Sequence, residues 1–156
     1  MLSLIKNYSK NYWMECYLKI IPSARTVSKY YKSKNVNYVV ADALHLPFRD
    51  KTFNVSFSQG LLEHLDNQTI IGIVSETKKA VKGKLLFSVP SNNFPEQSFG
   101  NERLLYPWEW KVILAQFSPK AGYYKFDFQS IKNSLLAKRF PKPWHIQIEI
   151  SSKQDG

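Results

Sequence analysis

The chain has 156 residues, of which 44% are hydrophobic and 15% aromatic, and its formal net charge is +10 at pH 7. A chain of this length and composition can bury one real core, which excludes wholesale disorder and predicts a single domain over residues 1–156. The only cysteine, Cys16, excludes an intramolecular disulfide and is typical of a reducing, cytoplasmic setting.

Neither a membrane segment nor a leader is expected. No apolar run approaches the roughly 20 residues that span a bilayer, so we expect no membrane partner. The first ten residues, MLSLIKNYSK, lack the long apolar stretch and small-residue cleavage site of a signal peptide.

The positive charge lies at the two ends of the chain. Residues 1–34 carry a net charge of +6 and residues 118–145 a net charge of +5, whereas residues 35–117 are neutral. Basic ends could bind RNA or an acidic protein, or they could be no more than solvated helix faces. No nucleic-acid-binding motif accompanies them, which favours the solvated faces.

The first third of the chain predicts two strands around one helix. Tyr17–Ile21 has strand length, and Pro22 is typical of the start of a helix, which we expect over Ser23–Lys34. Asn37–Ala41 is a β-branched, nearly continuous apolar run, which is typical of a strand covered on both faces.

The middle of the chain predicts two more strands and a helix. Phe53–Ser58 alternates in polarity, as a strand does. Asp66 is a good N-cap for a helix over Asn67–Lys82, and Gly83 is expected to end that helix. Lys84–Val89 predicts the next strand.

A long polar and aromatic loop, Ser91–Pro107, follows, and the chain ends with a predicted helix over Trp108–Phe117 and strands over Tyr123–Phe128 and Ile146–Ser152. Helices alternating with apolar strands predict an α/β sheet that is parallel in its first part. The last two strands, with no strong helix between them, predict an antiparallel edge.

Several pieces of sequence, in this order, resemble class I S-adenosylmethionine-dependent methyltransferases, and in particular the type 11 group. The resemblance implies a Rossmann-like, doubly wound, mostly parallel sheet with an antiparallel C-terminal hairpin, and a ligand at the carboxyl ends of the strands. The pieces are NYVVADA (Asn37–Ala43), LPF (Leu46–Phe48), SQGLLEH (Ser58–His64), GKLLFSVP (Gly83–Pro90) and YPWEWKVIL (Tyr106–Leu114).

The resemblance implies a site for S-adenosylmethionine that begins after the third strand. Asp42 would accept a hydrogen bond from the adenine amino group, and the backbone N–H of Ala43 would meet a ring nitrogen. Leu44 would pack on the adenine face. From the residues alone, Asp42 could also be an ordinary turn former at the end of a strand.

The other implied site residues follow the fourth strand. Ser58 and Gln59 would lie near the methionine part of the cofactor, and Leu62 would help to close the pocket. His64 is the candidate general base, because a neutral imidazole is available near pH 7. Glu63 and His64 could instead only cap or ion-pair the following helix. No Cys/His cluster has metal-site spacing, so no metal is expected.

The sequence departs from the family at its N-terminal part. The family carries a glycine-rich loop after its first strand, whereas the first glycine of this chain is Gly60. The family's acidic residue at the end of the second strand, which binds the ribose hydroxyls, aligns near Lys19, and Glu15 lies too early in that alignment. The first βα unit is therefore expected to be missing or compressed.

We considered three explanations of this departure. Met1–Ile5 could be a short substitute strand followed by a compressed helix over Lys6–Cys16. The chain could instead be truncated at its N-terminus. If the first unit is lost, the exposed strand edges could pair with another copy of the chain, which would form a homo-oligomer.

Two functions remain open. The first is a methyltransferase that acts on a small-molecule acceptor, with the Ser91–Pro107 loop covering the acceptor site. The second is a non-catalytic relative that has lost the cofactor and serves as a subunit or binding module.

Overall fold

The computed structural model describes residues 2–6, 10–15, 22, 25–26, 36–94, 100–124 and 144–152, and a seven-stranded sheet organises them. The strands lie side by side in the order β3-β2-β1-β4-β5-β7-β6. Their bounds are β1 (Leu2–Lys6), β2 (Lys10–Glu15), β3 (Val36–Val40), β4 (Phe53–Gln59), β5 (Val81–Pro90), β6 (Lys120–Tyr124) and β7 (His145–Ser151).

Five of the seven strands run in the same direction. The β2–β3 and β4–β5 pairs are parallel, while β1 is antiparallel to both of its neighbours, so β2 to β5 share one direction. Strand β7 is antiparallel to β5 and to β6, which returns β6 to the common direction. The predicted fold class, a mostly parallel Rossmann-like sheet with an antiparallel C-terminal pair, is confirmed.

The first strand confirms one prediction and corrects another. A substitute strand over Met1–Ile5 was one of the three explanations considered, and β1 fills the central gap between β2 and β4. The expected helix over Lys6–Cys16 is wrong, because Lys10–Glu15 forms strand β2. Pairing with β1 on one side and β3 on the other satisfies backbone groups that a helix here would leave open.

The strand expected over Tyr17–Ile21 lies outside the described residues, as does most of the helix expected over Ser23–Lys34. Within that predicted helix, Arg25 and Thr26 are described and are helical.

Helix α1 (Asn67–Ala80) begins as predicted and ends earlier than predicted. Asp66 caps it, since its Oδ1 accepts from the backbone N–H groups of Gln68 and Thr69. Gly83 does not end the helix; it lies inside β5, which starts directly after Ala80. The transition needs no glycine because the residue after the helix, Val81, already has extended backbone angles.

Helix α2 (Pro107–Ile113) and two short 3-10 helices, Leu62–His64 and Ala115–Phe117, complete the described elements. The helix expected over Trp108–Phe117 is thus divided between α2 and the second 3-10 helix. The strand expected over Tyr123–Phe128 is observed earlier, as β6, and residues 125–128 lie outside the described part.

The core lies between the sheet and the α1 face. Alternate residues of β5 and β7 point into it, so that Leu85, Phe87 and Val89 stand opposite Ile150, Ile148 and Ile146. All six side chains are buried. Burial of side chains of this size stabilises the fold by about 1.5–3 kcal/mol for each one that is fully buried.

The junction of α1 and β5 is held by the end of β7. The buried hydroxyl of Ser152 donates to the carbonyl of Val81 and accepts from Lys51 Nζ at 3.0 Å. We expect Ser152→Ala to lower the free energy of unfolding by about 1–2 kcal/mol, because Val81 then loses a buried partner. Urea denaturation measures the effect, and the exposed neighbour Ser151→Ala, expected to change stability by less than about 0.5 kcal/mol, is the control. Equal effects of the two substitutions would contradict the role of Ser152.

Candidate functional site

The carboxyl ends of four strands meet at one edge of the sheet. Because β2, β3, β4 and β5 share one direction, their last residues, Glu15, Val40, Gln59 and Pro90, all lie at this edge. Ligands of doubly wound sheets bind at this kind of edge. The edge contains every residue that the sequence predicted for the cofactor site, except those that follow it in the 3-10 helix Leu62–His64.

Asp42 follows β3 and organises a tight turn. Its Oδ1 accepts from the backbone N–H of Leu44 at 2.9 Å, and its Oδ2 lies 3.3 Å from His45 Nδ1. The N–H of Leu44, and next the contact with His45, lower the pKa of Asp42 below its usual range. The carboxylate therefore stays ionised near neutral pH. Its side chain is 61% exposed, so a ligand can reach it.

The two residues after Asp42 are held differently, Ala43 against the core and the exposed Leu44 beside α1. Ala43 packs against the core, and its backbone N–H makes no hydrogen bond to any described residue. Leu44 contacts α1 at Gly72, because a Cβ atom at Gly72 would lie only 2.7 Å from Leu44 Cδ2. The turn thus presents a fixed carboxylate, an available N–H donor and an apolar side chain together.

Ser58 and Gln59 end β4, and two strands, β2 and β1, lie between β4 and β3 in the sheet. Ser58 is 2% exposed, and its hydroxyl has no hydrogen-bond partner among the described residues. Gln59 is exposed. The next residue, Gly60, has a φ of +65°, which favours glycine and turns the chain away from the strand. At about 4.8 Å per strand, β3 and β4 lie roughly 14 Å apart, so Asp42 and Ser58 can only contact opposite ends of one extended ligand.

Leu62 and His64 lie in the 3-10 helix that follows. Leu62 is 1% exposed and belongs to the core. His64 is partly exposed, and its Nδ1 lies 2.8 Å from Asn101 Oδ1, which orients the ring. With Oδ1 as acceptor, Nδ1 carries the proton and Nε2 is the basic nitrogen.

Glu15 lies at the ligand edge, at a place that the sequence analysis did not expect for the acidic residue of the second strand. It is the last residue of β2 and stands in register with Val40, two residues before Asp42. Strand β2 therefore ends in an acidic residue, Glu15. The strand predicted over Tyr17–Ile21, and Lys19 within it, lie outside the described residues. The aromatic run Tyr12–Trp13, which has high strand propensity, was the available signal for β2.

Two absences can be stated for the described residues. No three His, Cys, Asp or Glu side chains among them come together as metal ligands. No described helix combines the length and the apolar character needed to cross a bilayer.

The chain belongs to the type 11 family of class I methyltransferases. A family model described as "Methyltransferase domain" matches residues 4–84, which is just over half of the chain. No individually curated protein matches the sequence.

Solved structures share the fold at low sequence identity. An S-adenosylmethionine-dependent methyltransferase from Mesorhizobium loti matches with a TM-score of 0.68 and 12% identity, covering 92% of this chain and 80% of that one. A Haloferax volcanii methyltransferase, solved in complex with the Trm112 methyltransferase activator, matches with a TM-score of 0.66 and 10% identity over 95% and 73%. Magnesium protoporphyrin IX methyltransferase from Synechocystis, solved with S-adenosylhomocysteine bound, matches with a TM-score of 0.60 and 12% identity over 90% and 63%.

Proposed function

We propose that this chain is a single methyltransferase domain that binds S-adenosylmethionine at the carboxyl edge of its sheet and transfers the methyl group to a small-molecule acceptor. The observation that carries the proposal is the turn after β3. It presents an ionised Asp42 carboxylate beside an N–H of Ala43 that has no partner among the described residues. A carboxylate can accept a hydrogen bond from the amino group of adenine, and a neighbouring N–H can donate one to a ring nitrogen.

The adenosine half of the cofactor fits the described residues. Asp42 and Ala43 would hold the adenine edge, and Leu44 would cover its face. Glu15, at the end of the neighbouring strand, would accept from the ribose hydroxyls, as the family resemblance implies. These residues belong to adjacent parallel strands, whose ends lie about 4.8 Å apart.

The part of the edge that would contact the methionine half of the cofactor differs from that of the family. Strand β1 runs opposite to β2 and β4, so Leu2 stands at the ligand edge, in register with Met14 and Ser58. The described residues contain no glycine-rich turn there. Two described residues remain to contact this part of the ligand, Ser58 and Gln59. The buried hydroxyl of Ser58 has no hydrogen-bond partner among the described residues.

Methyl transfer from S-adenosylmethionine needs few catalytic groups from the protein. When bound, the cofactor supplies a methyl group already activated by the positive sulfonium. The chain then contributes proximity and alignment. His64, with Nε2 as its basic nitrogen, could take a proton from an acceptor that must lose one.

We expect Asp42→Ala to weaken the binding of S-adenosylhomocysteine by about tenfold to a hundredfold, because a hydrogen bond to a charged group contributes about 1.5–3 kcal/mol. Isothermal titration calorimetry of the whole chain measures the change. Asp50→Ala, which removes an exposed carboxylate from the next turn, is the matched control and should bind as the wild type does. Wild-type protein that shows neither heat nor thermal stabilisation at millimolar ligand would contradict the proposal.

A non-catalytic binding module is the second candidate, and the reversal of β1 favours it. With no backbone cradle beside β1, this protein could keep the fold and lose the cofactor. A protein partner is then the expected ligand, and one of the similar structures is a methyltransferase bound to an activator protein. The basic ends leave RNA or an acidic protein as alternative partners, and RNA binding would weaken steeply with added salt.

A further inference from the structure

Glu63 carries a carboxyl group that is almost fully buried. Glu63 is 3% exposed, and its Oε2 has no hydrogen-bond partner among the described residues. Burial is the largest cause of a raised pKa for this group. An isolated carboxylate is costly to bury, and such a group in a native fold usually has a ligand or a chemical role.

The helix-capping role expected for Glu63 is taken by another residue. Asp66, and not Glu63, caps α1. Arg103 lies close, since its backbone N–H donates to the carbonyl of Glu63 at 2.8 Å. Its guanidinium, however, donates to the carbonyl of Leu65 and to Asn67 Oδ1. His64 Nε2 lies 3.9 Å from Glu63 Oε1, a contact that becomes an ion pair only when the imidazole is protonated. Burial, which raises the pKa of Glu63, outweighs the backbone N–H of Glu63, His64 and the N-terminus, which all lower it.

The carboxyl group lies close beneath the ligand edge. Gly60 is exposed, and a Cβ atom on it would lie 3.7 Å from Glu63 Oε1, in ordinary contact. His64, a quarter exposed, borders the same oxygen. Since Gly60 is exposed and carries no side chain, a ligand atom in the place of that Cβ would itself lie 3.7 Å from Glu63 Oε1.

The surroundings of Glu63 favour a positive ligand. Glu102, 8% exposed, lies near enough for its charge to oppose ionisation of Glu63. A second buried carboxyl group therefore lies close to Glu63, in a chain whose net charge is +10. In a low-dielectric site, a cation that donates hydrogen bonds stabilises a carboxylate most strongly.

We propose that the Glu63 carboxylate receives an ammonium group from a ligand bound at the carboxyl end of β4. The assignment rests on the proposed methyltransferase function. The ammonium could belong to the amino-acid end of the cofactor or to an amine acceptor, and the two sources make different predictions.

An amine acceptor gives Glu63 a place in the reaction. The ammonium proton passes to the Glu63 carboxylate, and the nitrogen lone pair then forms the new N–C bond to the methyl group. The S–C bond breaks, and its electron pair stays on sulfur as a thioether. No further reactant is needed, and the acceptor class is then a primary or secondary amine.

The test uses Glu63→Gln, which keeps the shape of the side chain and removes its charge. Glu76→Gln, at a helix position that pairs with Lys79, is the control for the lost charge. Calorimetry compares S-adenosylhomocysteine with 5′-methylthioadenosine, which lacks the amino group. Protein NMR compares n-butylammonium with n-butanol, on free and on S-adenosylhomocysteine-saturated protein.

If the ammonium is the cofactor's, Glu63→Gln weakens S-adenosylhomocysteine by about tenfold or more and leaves 5′-methylthioadenosine unchanged. If the ammonium belongs to the acceptor, Glu63→Gln binds both nucleosides as the wild type does. The NMR chemical-shift changes that n-butylammonium causes near Gly60 are then lost in this variant. The idea fails if Glu63→Gln alters neither, or if n-butanol and n-butylammonium bind equally well.

Failure of the proposed function looks different. Wild-type protein would then bind neither nucleoside, while n-butylammonium on the free protein would still report on Glu63. Loss of ligand binding in Glu63→Gln would not be due to unfolding. The substitution removes a buried charge and should not lower the melting temperature, which a thermal melt of the variant checks.

Discussion

Replacing Gly83 with alanine is expected to destabilise the protein by about 3 kcal/mol, the upper part of the range for overpacked positions. Gly83 lies in β5 beside the backbone of Asn54 in β4. A Cβ atom at this position would overlap the carbonyl oxygen of Asn54, which is main chain and cannot move aside as a flexible side chain could. Urea denaturation of the purified chain measures the loss.

The close approach has a cause in the register of the two strands. Phe53 pairs with Val81, but Val55 pairs with Lys84, so β5 has one residue more than β4 over this stretch. Extra residues of this kind bend a strand and often need glycine. The alanine variant should therefore either break the pairing at this irregularity or move β4, whose other end carries Ser58.

Gly122→Ala is the matched control, because a Cβ atom in that position of β6 meets nothing within 4 Å. We expect this second substitution to be neutral or slightly stabilising, since glycine inside a strand costs about 0.5–1 kcal/mol relative to alanine. Two alanine variants of similar stability would refute the close approach at Gly83.

Local signals were enough to predict much of the fold. Strand β4 follows from the alternation of Phe53–Ser58, and the start of α1 follows from the side chain of Asp66. Strand β7 begins one residue before its predicted position at Ile146. In each case a cap or a polarity period within a few residues of sequence determines the element.

Other elements depend on contacts that are distant in sequence. Lys10–Glu15 becomes a strand because β1 and β3 supply hydrogen-bond partners on both sides. The glycine at position 83 is needed for an approach to Asn54, and not for the end of a helix. Local pattern alone cannot reveal either requirement, because each arises only after the strands are assembled.

In the candidate site, too, some features follow from local sequence and others from contacts that are distant in sequence. The motif around Asp42 predicted a turn with an acceptor and a donor, and the turn forms within three residues. For Glu63, capping was the simpler expectation, and its burial depends on how residues 100–105 pack on the 3-10 helix. Roles in ligand binding remain predictions for all of these residues.

Glu15 carries the second large expected effect. Replacement by glutamine should weaken S-adenosylhomocysteine binding by about tenfold or more, because a carboxylate can accept from both ribose hydroxyls and an amide oxygen from fewer. The argument depends on the end of β2, where Glu15 stands in register with Val40, two residues before Asp42. Calorimetry of the variant measures the change.

The ribose hydroxyls give the sharper comparison. Wild-type protein should prefer adenosine over 2′-deoxyadenosine, and Glu15→Gln should remove most of that preference while both ligands keep their contacts with Asp42. Glu149→Gln, which removes a carboxylate that pairs with Lys84 on β5, controls for the lost charge. If Glu15→Gln weakens both nucleosides equally and keeps the preference, Glu15 acts through the sheet and does not contact the ribose. If the preference is lost in this variant alone, the acidic end of β2 performs the family's ribose-binding role even though the strand beside it runs in the opposite direction.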